Sequence, residues 1–208
     1  MQSSASGIET ASATITETVK PFAITIPICY DFTCSTKEMI TLNENHWKSL
    51  VAAFGRQPTN AEEERLAIQR AIARMEQLSG FHTPTFRDMA RNFDSKDNPV
   101  FGLPGQMDCI DESINTTTYL KLFENQNLLK YHRVLPRAYR RALLNQHWAG
   151  QVEDIITGKR YIVDSWFRDN GQPPYVVSSD VWHDISVFNR SEQLTQSGNK
   201  LPVEQKQR

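Results

Sequence analysis

Cys109, His147 and Asp164 have the residue types and the chain order of a thiol catalytic triad. A cysteine acts as a nucleophile in its thiolate form, which a helix N-terminus or a neighbouring histidine favours. The histidine takes and returns protons, and a carboxylate holds the imidazole in the right tautomer. The chemistry is acyl transfer. The sulfur attacks an amide carbonyl, an amine departs, and water or another amine resolves the thioester. No cofactor is required.

Each member of the trio needs an element to place it. Cys109 follows the loop 101–108 (FGLPGQMD), whose glycines and proline stop any earlier helix, and precedes an apolar-periodic run through Ile110, Ile114 and Phe123. The pattern predicts a helix that opens at Cys109 and stops near Asn127. Its first-turn N–H groups then lie beside the thiol and can bind an oxyanion. Segments 131–135, 144–155 and 160–167 are strand-like, with a Thr157-Gly158 turn between the last two. Antiparallel pairing around that turn sets His147 opposite a position just beyond 164, which makes His147 and Asp164 diagonal neighbours. Asp164 stands in the otherwise apolar YIVDSWF, where a lone carboxylate is costly without a partner.

Upstream, 22–29 (FAITIPIC) reads as a strand, with Pro27 at an edge or an end. Thr41 and Glu44 form a capping box before a helix with Trp47, Leu50, Val51 and Phe54 on one face and Gly55 at its end. A second box, Thr59 and Glu62, opens a longer helix that Gly80 closes, and Pro84 marks a third helix start. The predicted class is α+β, with N-terminal helices and a central helix packed on an antiparallel sheet. The domain spans 20–190, between a disordered arm (1–19) and a polar tail (191–208).

The strings QMDCIDESIN, HWAGQV and RYIVDSWF resemble the bacterial transglutaminase-like cysteine proteinases, within the transglutaminase and papain-fold superfamily. The resemblance covers 100–170. It implies a papain/transglutaminase-like fold, with the cysteine opening the core helix and the histidine and aspartate on consecutive strands. It also implies a cysteine peptidase or amidase acting on a peptide or amide, free or within a protein. Family members commonly carry Gly-Asp-Cys-x-Asp at the nucleophile. Asp108, Cys109 and Asp111 match, and Met107 replaces the glycine. By analogy the oxyanion donors are the Cys109 backbone N–H and the Gln106 side chain. The same triad equally serves a protein-glutamine or other acyl transferase, and the same fold without turnover serves as a binding domain.

Other readings stand beside these. A cysteine taken alone is as often a small buried hydrophobe. Asp111 is either a family-like acid or a helix N-terminal carboxylate favoured by the dipole. Trp148 and Trp166 flank the base and the acid, and either wall a cleft or fill the core. His132 competes for the role of base but has no carboxylate in an equivalent next strand. Arg133, Arg137, Arg140 and Arg141 either bind an anionic partner or form a solvated face. Cys29 and Cys34 form a disulfide if the protein is exported and are plain thiols in a reducing cytosol. Their spacing does not match the C-x-x-C of a redox domain.

Hydrophobic residues at 39% and charged residues at 23% place the chain among globular domains. The 23 Lys+Arg against 24 Asp+Glu give no general pull toward nucleic acid or an anionic membrane. No apolar run approaches the roughly 20 residues of a membrane span. The N-terminus lacks the basic and apolar regions of a signal peptide, so the cytoplasm is the default location. The periplasm or the exterior is the alternative for a trimmed precursor. Neither zinc spacing nor an acidic calcium loop is present, so no metal is expected.

Overall fold

The β-branched run near the N-terminus forms β1 (Ile24–Tyr30) in the computed structural model, which describes residues 22–98, 100–142 and 145–184. The expected arm 1–19 and tail 191–208 lie outside the described residues. β1 pairs antiparallel with β2 (Thr36–Leu42), an element the sequence reading lacks. Only Ile40 and Leu42 of β2 are buried, too short an alternation to announce a strand. Pro27 is tolerated because this sheet has two strands, which leaves β1 an open edge.

Two helices follow, α1 (Glu44–Phe54) and α2 (Ala61–His82). Both caps fall beside the predicted boxes. Asn43 accepts from the His46 N–H, and Asn60 accepts from the Glu63 N–H, each at 2.9 Å. Gly80 does not end α2, which runs on to His82. A Cβ at Gly80 would stand 3.0 Å from Phe86, so the missing side chain lets the 3-10 turn Pro84–Arg87 fold back onto the helix.

After a long connection comes α3 (Cys109–Asn125), then β3 (His132–Ala142), β4 (Asn145–Asp154), β5 (Arg160–Asp164) and β6 (Tyr175–Ser178). These four strands form an antiparallel meander in chain order. Position 144 of the predicted strand lies outside the described residues. β5 ends at Asp164, short of the predicted 167, and 165–167 leaves the sheet. β6 and the closing turn of helix α4 (Ser179–His183) carry no periodic signal and were not read from the sequence.

Strand alternation sorts the core into two. Val152 and Val163 pack with α2, α3 and the β1–β2 hairpin, while Ala149 and Ile162 face Phe167, Tyr175 and Trp182 on the other side. Gly150 lets α3 lie close against the sheet, since a Cβ there would be 2.7 Å from Thr116 Cγ2. Among the described residues the result is an α+β architecture with two antiparallel sheets and four helices. Among the described residues no helix is long and apolar enough to cross a membrane.

Candidate active site

α3 begins at Cys109 because Asp108 caps it. Asp108 Oδ1 accepts from the Ile110 and Asp111 N–H groups at 2.9 and 3.0 Å, and the Asp108 N–H donates back to Asp111 Oδ2 at 3.1 Å. This reciprocal pair satisfies the second and third helix N–H groups. No acceptor among the described residues takes the Cys109 N–H, so that group is left to face whatever meets the thiol. Cys109 is half-buried, its thiol unbridged.

The base arrives from β4. The β4–β5 register pairs Gly150 with Val163, and one step further along it sets position 149 against 164. His147 is then the diagonal neighbour of Asp164. The ring Nε2 meets Asp164 Oδ2 at 2.8 Å, with both side chains almost fully buried. The Cys109 thiol is near enough for its charge to be felt at the same ring. With Nε2 on the carboxylate, Nδ1 is the nitrogen left for the sulfur. Burial works against charge on the ring. The charge and hydrogen bond of Asp164, joined by Cys109, outweigh it and raise the imidazole to about 9.

Three aromatic residues enclose this imidazole. The rings of Trp166, Phe167 and Trp182 lie 4.9, 5.3 and 5.7 Å from it. Trp166 Nε1 is anchored to the Asn92 carbonyl at 2.7 Å, with its ring against His147. Trp148 does not touch the ring. It points to the opposite face, against Tyr139 at 4.6 Å and under the Arg137 guanidinium.

Trp182 is the functional neighbour that sequence reasoning missed. Its indole N–H donates at 2.7 Å to Asp164 Oδ2, the oxygen that also meets His147. Arg140 lies over the Trp182 ring at 4.6 Å and donates to its carbonyl at 2.5 Å. Trp182 falls on α4, after a strand with no period, so nothing in the chain pointed to it.

Gln106 corrects an expectation. It is buried, its amide donates to the Arg87 carbonyl at 2.9 Å, and its carbonyl takes the Asn92 amide. Both ends of the side chain are therefore held by groups inside the protein. Met107 is also buried, in the main core, with Asn115 Nδ2 at 3.3 Å from its sulfur. It therefore leaves the approach to Cys109 open. His132 also differs from expectation, because its carboxylate partner comes from α2. Glu64 Oε1 sits 2.9 Å from its Nδ1 in a fully buried pair.

Behind the nucleophile lies a set of carboxyls. Glu76, Asp88, Asp111 and Glu112 are buried. Burial pushes Glu76 to about 8 and Asp88 and Asp111 to about 7, and holds Glu112 well above the usual range. Asp88 accepts the Met107 N–H at 2.6 Å and so helps set the entry to α3. Asp111 is a capping carboxylate, as the helix-dipole reading had it, and also accepts the Cys34 N–H at 2.6 Å. Cys34 is disulfide-bonded to Cys29, and residues 31–34 between them all have left-handed backbone, with φ of 64, 62, 52 and 58°. Among the described residues no group of side chains is suited to hold a metal ion. No family model, curated protein or solved structure matches this chain.

Proposed function

We propose that the chain is a thiol-dependent acyl-transfer enzyme, acting as a cysteine peptidase or amidase in the manner of the transglutaminase-like cysteine proteinases it resembles. The observation that carries this reading is His147, which is bonded to a buried aspartate and lies close enough to the half-buried thiol of a helix-opening cysteine to feel its charge. A domain of the same fold that only binds has no use for that arrangement.

In the proposed cycle the thiolate of Cys109 attacks the substrate carbonyl, and the Cys109 N–H receives the negative charge that builds on oxygen. The His147 imidazolium gives its proton to the departing amine, and the C–N bond breaks to leave a thioester. His147 then takes a proton from water as the hydroxide attacks the thioester, and the acid product leaves with the thiolate restored. Asp164 and Trp182 keep the ring in place throughout, and Asp164 stays charged.

The test is the reactivity of the thiol. Wild-type protein is expected to take up iodoacetamide at Cys109 near pH 6 much faster than a free thiol, and Cys109→Ala is expected to take up none there. Cleavage of peptide pools by wild type and its loss in Cys109→Ala would extend the result to turnover. A Cys109 that labels no faster than a free thiol at pH 6 would rule the proposal out.

A further inference from the structure

The four arginines of β3 and its flank meet different fates. Arg133 pairs with Glu153 at 2.5 Å. Arg140 is buried over Trp182 and feels the charge of Asp164. Arg141 is exposed. Arg137 is half-buried, and no carboxylate among the described residues pairs with it. Its Nη1 donates to Ser113 Oγ at 3.0 Å, and its guanidinium lies 4.8 Å over the Trp148 ring.

The Ser113 contact places it beside Cys109. Ser113 is four residues after Cys109 on α3, hence on the same helix face, roughly 6 Å away at one turn. The backbone is also shaped to put Arg137 there. The β3–β4 register shifts between Leu135 and Ala138, so Pro136 and Arg137 together oppose Gly150. A Cβ on that glycine would run into α3 at Thr116. A bulge of this kind re-aims the side chain it carries. A guanidinium has five donors, and one is spent on Ser113. The planar fork that remains matches a carboxylate, beside an aromatic floor made by Trp148 and the partly exposed Tyr139.

We infer that Arg137 is a specificity residue that takes a carboxylate of the substrate, so that the preferred amide carries that carboxylate within about one helical turn of its scissile carbonyl. The inference rests on the acyl-transfer reading of Cys109. The carboxylate belongs either to an acidic side chain or to a free chain terminus, and the chemistry of recognition is the same.

The experiment compares the rates at which iodoacetate and iodoacetamide alkylate Cys109 in wild type and in Arg137→Gln. The two reagents differ in the carboxylate alone. The iodoacetate-to-iodoacetamide rate ratio is expected to fall about tenfold or more in Arg137→Gln, the usual weight of a charged hydrogen bond. Should circular dichroism show that this variant does not fold, Arg137→Lys replaces it. A point charge without the fork is expected to lose part of the preference. An unchanged ratio overturns the inference while leaving the nucleophile intact. Sluggish labelling by both reagents overturns the acyl-transfer reading and this inference with it. Synthetic peptide pools separate the two sources. Cleavage of a pool with free C-termini and amidated acidic side chains points to a terminal carboxylate. Cleavage of a pool with acidic side chains and amidated C-termini points to a side chain. Equal cleavage of a pool lacking both would overturn the inference.

Discussion

Replacing Asp164 by Asn removes a charge and keeps a shape. Asp164 Oδ2 receives two donors, His147 at 2.8 Å and the Trp182 indole at 2.7 Å. Two donors converging on one atom leave room there only for an acceptor, so the Asn carbonyl has to occupy that place and the imidazole keeps its tautomer. The charge is what is lost. His147 stands at about 9, against 6.5 for an ordinary imidazole, and that difference corresponds to about 3 kcal/mol in favour of the charged ring. The folded value is raised above the unfolded one. The stabilisation is therefore fully present below about pH 6.5 and is lost as pH rises through about 9.

Urea unfolding followed by tryptophan fluorescence at pH 6, 8 and 10 measures this directly. Asp164→Asn is expected to be less stable than wild type by on the order of 3 kcal/mol at pH 6, with that deficit nearly gone at pH 10. Any packing cost of the amide adds a constant that does not change with pH. Iodoacetamide labelling of Cys109 at pH 6 is expected to slow roughly a hundredfold, because a thiol without a charged neighbour is largely protonated there. A deficit of equal size at pH 6 and pH 10 would refute the reasoning, since Asp164 would then not be supporting a charged imidazole.

Trp182→Phe removes one hydrogen bond to Asp164, whose Oδ1 is already buried without a partner among the described residues, and is expected to cost about 2–4 kcal/mol in urea unfolding. It is also expected to slow labelling at pH 6 by less than Asp164→Asn, and an unchanged labelling rate would remove Trp182 from the site. Cys29→Ala with Cys34→Ala opens a short loop and is expected to lower stability by about 2 kcal/mol, read from thermal melts of the oxidised wild type and the variant. Glu112 is held well above the ordinary carboxyl range by burial and by the charges of Glu76 and Asp88, so the folded state resists the ionisation that the unfolded chain allows. Stability should therefore fall as pH rises above about 4.5, and Glu112→Gln should make that fall shallower between pH 5 and 8, with an unchanged slope counting against it.

The placement of Cys109, His147 and Asp164 was legible because each carries a local signal. Cys109 sits where a Gly/Pro loop gives way to helical period. Asp164 breaks an apolar strand, and the turn at 157–158 fixes the register that brings His147 beside it. The rest was hidden for physical reasons. Trp182 reaches Asp164 by a loop route with no period to read. Glu64 meets His132 across the fold, from α2 to β3. The capping box at Asp108 uses aspartate in place of the Ser/Thr and Glu of the usual pattern, so the helix start was inferred from the loop instead. Gln106 was proposed by family analogy, and the chain order did not show that the buried Asn92 and the Arg87 carbonyl hold it. Polar side chains near a site are shared out by three-dimensional neighbours, and the order of the chain does not reveal those.

The acids around Cys109 raise a difficulty that the fold resolves. Asp108 and Asp111 flank a residue that is to carry negative charge as a thiolate, and like charges at such range repel. Their oxygens are spent elsewhere. Asp108 holds the Ile110, Asp111 and Thr33 N–H groups, and Asp111 holds those of Asp108 and Cys34. Burial raises Asp111 to about 7, which disfavours its charged form. Two of these donors come from the left-handed turn 31–34, whose amides converge on the helix start because all four residues share one unusual backbone conformation. The disulfide that closes the turn therefore does more than tether β1 to β2. It holds in place two amides that donate to the acids beside Cys109.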